Sequence, residues 1–136
     1  MITLKEIYLI QEREDFVFMA QEIINYYKSK IPPRVKIKTT QYKDDSMKGD
    51  YDVHRNIIKI RTNYSKKSEF VISVLHEIKH AMDAKRLGKK NYILDYEWEM
   101  NYQVGKGKHH YNDNKFEIEA EKWAKKEYRR FWKNKF

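Results

Sequence analysis

No cysteine occurs in the 136 residues, so neither a disulfide framework nor a thiolate metal site can form. Any metal must be held by histidine and carboxylate. Proline occurs only twice, at Pro32 and Pro33, and the pair marks the clearest boundary along the chain. There is no internal repeat and no low-complexity linker. No apolar run approaches the length of a membrane span, so no membrane partner is expected. Lys5 and Glu6 interrupt the N-terminal apolar stretch, and no small-residue cleavage site follows it, so it does not read as a signal peptide. A single domain in a reducing cytoplasm is the expectation.

What the chain does have is aromatic side chains: eleven Tyr, six Phe and three Trp. They supply apolar surface to bury and argue against disorder. The length suffices for one core. Charged residues make up 36% and the net charge is +9, a balance that favours anionic partners and could select acidic substrates. The preferred reading is a densely ionic soluble surface, because net charge alone defines no site. The basic, aromatic run from Lys125 to Lys133 is read in the same way, as the solvated face of a terminal helix. Nucleic acid stays open as a partner.

Periodicity predicts an α+β domain. Phe16, Met19, Ala20, Ile23, Ile24 and Tyr27 fall on one face of a helix over 15–29, capped by Asp15. A separate helical turn over 2–10 would pack beside it. Val35, Ile37 and Thr39 alternate with lysines, as in a half-buried strand. Residues 43–49 read as a loop, Tyr51 and Val53 as part of a second strand, Arg55-Asn56 as a turn, and 56–62 as a third strand. A small twisted sheet of about three strands results. Next comes a helix from Ser65 or Ser68, as cap, to Leu87, with Gly88 where a glycine cap belongs. Its apolar stripe is Phe70, Val71, Val74, Leu75, Ile78 and Met82. Residues 92–103 alternate apolar and polar, which suggests period two, although irregular structure fits as well. Residues 104–114 read as a loop and 115–132 as a final helix.

Residues 76–80 spell His-Glu-Ile-Lys-His. Two imidazoles at i and i+4 lie one turn apart on a helix face and can share one metal ion. Glu77, offset by one residue, sits beside that ion and points at a bound water, so it fits the general base of a hydrolytic zinc site. A hydrolytic zinc takes three protein ligands and keeps one position open. Asp83 and Arg86 exclude the HExxHxxGxxH arrangement. The best third ligand lies in Phe116-Glu117-Ile118-Glu119-Ala120-Glu121, where Glu117 and Glu121 share a face and Ala120 permits close helix approach. Glu117 is preferred and Glu121 stays open. Glu119 points elsewhere. His109 or His110 could complete the site or stabilise an oxyanion, and Tyr111 could donate to a tetrahedral intermediate. Exposed loop histidines are the preferred reading of the pair.

The HEIKH and EIEAE motifs, in that order, resemble the gluzincin class of HExxH peptidases, and more narrowly the minimal gluzincins and the ImmA/IrrE-like peptidases of phages and mobile elements. The resemblance implies a zincin-like fold and one Zn2+ per chain held by His76, His80 and Glu117. It also implies Glu77 as base, a protein or peptide substrate, and a strand over 56–62 that pairs with extended peptide beside the cleft. Two positions depart from the family pattern. Lys79 stands where Gly is usual before the second histidine. Glu121 stands where Asp or Asn is usual, in a position whose role is a hydrogen bond to a ligand histidine. These departures keep an alternative alive: a basic nucleic-acid or protein-binding module whose metal site is catalytically silent.

Overall fold

The computed structural model describes residues 2–40, 49–61, 64 and 66–136. It is α+β, as the periodicity predicts. Helix α1 (Leu4–Tyr26) begins at a capping box: the Thr3 hydroxyl accepts the Glu6 N–H at 3.1 Å, and Glu6 accepts the Thr3 N–H at 3.2 Å. One helix therefore runs from residue 4, where a separate first turn was expected, and Asp15 lies inside it. Phe16, Met19, Ala20, Ile23, Ile24 and Tyr27 are buried as the stripe requires.

Strands β1 (Lys36–Thr39), β2 (Gly49–Asp52) and β3 (Ile57–Ile60) form one sheet in the order β1-β3-β2. β1 runs parallel to β3, and β2 antiparallel to it. The turn between β2 and β3 has a local cause. Asp52 Oδ1 accepts the N–H groups of His54 and Arg55, each at 3.1 Å, and Asn56 takes a left-handed conformation (φ 57°) that Asn tolerates. Asn56 also donates to the Pro33 carbonyl at 2.8 Å, which ties the hairpin to the Pro-Pro boundary.

This order corrects one implication of the resemblance. β3, in the 56–62 segment, is paired on both sides and offers no free edge. Among the described residues, β1 and β2 are both edge strands. Gly49, expected in a loop, is the first residue of β2, while 43–48 lie outside the described residues.

Helix α2 (Lys67–Leu87) lays Phe70, Val71, Val74, Leu75, Ile78 and Ala81 into the core with Ile58 and Ile60 of the sheet. Ser68 lies within its first turn and does not cap it; Lys66 holds the cap position without a side-chain bond, and Ser65 is outside the described residues. Gly88 ends the helix at φ 88°, a backbone that favours glycine.

Residues 92–103 are neither strand nor irregular. They belong to helix α3 (Lys89–Gly105). The alternation misleads because three of its apolar members, Leu94, Trp98 and Tyr102, are exposed. The inward face is Tyr92, Tyr96, Glu99 and Gln103, which has helical spacing but reads as mostly polar. Buried Glu99 accepts the Lys115 N–H at 3.1 Å, which places a carboxylate at the N-terminus of the next helix.

Helix α4 (Lys115–Glu127) starts at Asn114, whose side chain accepts the Phe116 N–H, and packs chiefly on α2. A π-helical turn, Tyr128–Trp132, closes the C-terminal segment. There the Trp132 indole donates to the Tyr27 hydroxyl at 3.0 Å, and Tyr27 donates to Glu127 at 2.8 Å. The aromatics of the basic run are thus partly used in packing: Trp132 is buried and Phe131 lies on Tyr26, with ring centroids 4.6 Å apart. Arg129, Arg130 and Lys133 stay exposed. Among the described residues, no helix is long and apolar enough to cross a membrane.

Candidate metal centre

α2 and α4 meet through small and polar side chains, and Ala120 is fully buried at the contact. The close approach brings His76, His80 and Glu117 together, all buried. The two Nε2 atoms are 3.2 Å apart, and each is 2.8 Å from Glu117 Oε1. Among the described residues, this is the group that could hold a metal ion.

The partners around these atoms test the fit. His76 Nδ1 is 2.8 Å from Glu121 Oε2, an acceptor, so Nδ1 carries a proton and Nε2 is the nitrogen that would face a metal. His80 Nδ1 contacts the Tyr92 hydroxyl at 3.2 Å, and the Tyr96 hydroxyl donates to Glu117 Oε2. With both imidazoles held through Nδ1, their Nε2 atoms and a carboxylate oxygen converge on one point. Such a cluster needs a cation or extra protons. Donors bound to one tetrahedral zinc at 2.0–2.1 Å lie about 3.3 Å apart, close to the separations found. Two imidazoles and one carboxylate also match a site that leaves a position open.

Without a metal, protons must do this work. Burial disfavours a charged His76, yet hydrogen bonds to Glu117 and Glu121 outweigh it and raise its pKa to about 10. Burial likewise opposes charge on Glu117, but the two histidines hold its pKa well below the usual carboxylate range. The two directions agree: the metal-free centre is an ion pair.

Glu77 is 4% exposed, and its carboxylate makes no hydrogen bond among the described residues. It lines a cavity of about 420 Å³ together with His80 and Glu117. Burial pushes its pKa up to about 7, with His80 and His76 pulling it down. Gly49 permits this packing. A Cβ there would stand 2.9 Å from Ile60 Cδ1 and 3.3 Å from Glu77 Cγ.

Glu121 is on the outer side of His76 and outside the converging group; its other oxygen is 3.6 Å from Lys125. Glu119 is exposed. His109 shapes its own loop: Nδ1 accepts the N–H groups of Tyr111 and Asn112. Its neighbour His110 lines the 420 Å³ cavity. Neither histidine joins the ligand group. Tyr111 lines that cavity and a second one of about 490 Å³ on the His76 side. Lys79, the departure before the second histidine, pairs with buried Asp83 at 2.6 Å.

Tyr92, Tyr96, Glu99 and Asp50 were not singled out by sequence reasoning. Helical spacing of Tyr92 and Tyr96 was the available signal, hidden by the apparent alternation. No family model, curated protein or solved structure matches the chain.

Proposed function

We propose that this protein is a zinc-dependent metallopeptidase of gluzincin type, cleaving peptide bonds in a protein or peptide substrate. The observation that carries the reading is the convergence of two Nε2 atoms and Glu117 Oε1 beside buried Glu77. Zinc held by these residues would supply a Lewis acid for the scissile carbonyl and acidify a water molecule. Glu77 is the group to accept that water's proton and pass it to the leaving amine. Glu121 and Tyr92 orient the imidazoles through Nδ1, and Tyr96 fixes the carboxylate. β2, an edge strand among the described residues, lines the cavity, which supports an extended substrate chain. Tyr111 and His110 are the candidate donors to the developing oxyanion.

Metal analysis of the parent beside His80→Ala and Glu117→Ala tests the centre: one zinc per chain in the parent and loss in both variants is expected. Glu77→Gln should retain zinc and lose about 10²–10⁴-fold in cleavage rate. Peptide cleavage indifferent to that change would favour a binding module with a silent metal site.

A further inference from the structure

The charge lining the candidate cleft opposes that of the whole chain. Of 29 Lys and Arg in the sequence, none among the described residues lines the 420 Å³ cavity on the His80 side. Two carboxylates do, in addition to those of the centre: Asp50 on β2 and Glu97 on α3. Both residues are exposed, and neither has a salt-bridge partner among the described residues. Lys59, opposite Asp50 in the sheet, is 3.9 Å from Asp52 and does not line the cavity; burial raises the pKa of Asp50, and the Lys59 charge works against that rise. Tyr51, Tyr92, Tyr96 and Ile93 line the same cavity, together with the imidazoles of His54 and His110. Buried Glu77 also lines the space. The second cavity, on the His76 side, differs in carrying Lys122 and Lys125.

We infer that the His80-side cavity selects a long basic side chain, Arg or Lys, next to the scissile bond. Its aliphatic stem lies along the tyrosines, and its cationic end meets Asp50 and Glu97. Resting on the hydrolytic reading above, this makes basic peptides the substrate class, against the acidic substrates that net charge alone suggests. A positively charged molecule thus keeps a locally negative cleft, and near contacts outweigh distant charge once salt screens beyond about 8–10 Å.

The test uses internally quenched decapeptides carrying a single Arg, citrulline or Glu at each position in turn, with the zinc-loaded protein. Citrulline keeps the shape of Arg and removes its charge. At one position Arg should raise kcat/KM about 1.5- to fivefold over citrulline, the range for exposed ion pairs, and Glu should lower it. D50N/E97Q should erase the difference between the Arg and citrulline peptides. Cleavage with no Arg preference overturns the inference and leaves the hydrolytic reading intact. If no peptide is cleaved, the hydrolytic reading fails, and fluorescence anisotropy with the same peptides decides the cavity. Tighter Arg binding, lost in D50N/E97Q, upholds its selectivity; equal binding of Arg and citrulline, or no binding, overturns it.

Discussion

Replacing Glu121 by alanine separates a ligand from the group that orients it. Glu121 touches the centre only through His76 Nδ1, at 2.8 Å. Removing its carboxylate frees the imidazole to rotate and lowers the basicity of Nε2. Loss of such a partner typically costs 10–100-fold in metal affinity. The Glu121 side chain is 44% exposed and shares its charge with Lys125, so water and the lysine screen it. The low end applies: about tenfold, or ~1.4 kcal/mol. Glu121→Gln keeps an acceptor and loses the charge, so about two- to threefold is expected, given that charge-assisted bonds are roughly twice as strong as neutral ones. Competition for zinc against a chromophoric chelator at fixed pH measures both, with circular dichroism to confirm folding. Unchanged affinity in Glu121→Ala would refute the orienting role. A loss as large as that of Glu117→Ala would show that the roles of the two glutamates had been exchanged.

Metal binding should release about one proton at pH 7–8, because the metal-free centre holds one on His76, whose pKa is raised to about 10. Calorimetry in buffers of different ionisation heat reads this directly, and zero release contradicts the ion-pair description. The same raised pKa means the stabilisation from His76 is full below pH 6.5 and is lost as pH rises towards 10, so the metal-free Tm should fall across that window. Gly49→Ala should destabilise by about 1–3 kcal/mol in thermal or urea unfolding, since its Cβ meets Ile60 and the Lys59 backbone; a neutral result means β2 can shift away from α2. Tyr27→Phe should cost about 1–3 kcal/mol by leaving Trp132 N–H and Glu127 without their shared hydroxyl, and an unchanged Tm would mean water replaces it.

The parts legible in the sequence are those whose physics is local. HEIKH at helical spacing places two imidazoles on one face wherever that helix lies, and the apolar stripe from Phe70 to Ile78 says which side is buried. The Pro-Pro boundary, the short strands and the Gly88 cap depend on backbone preferences of a few residues. α3 failed this test because its inward face is Tyr, Glu and Gln, and these become core-like only by bonding to His80, to Glu117 and to the start of α4. Tertiary structure alone decided the rest. The placement of Glu117 inside the converging group and Glu121 on the far side of His76 depends on how α4 is rotated against α2, and one face carries both glutamates. The order β1-β3-β2, which puts β3 in the middle, and the gathering of Asp50 and Glu97 around one cavity depend on pairings between distant segments. Periodicity records which way a side chain faces along its own element; the partner across the gap is chosen only when the elements pack.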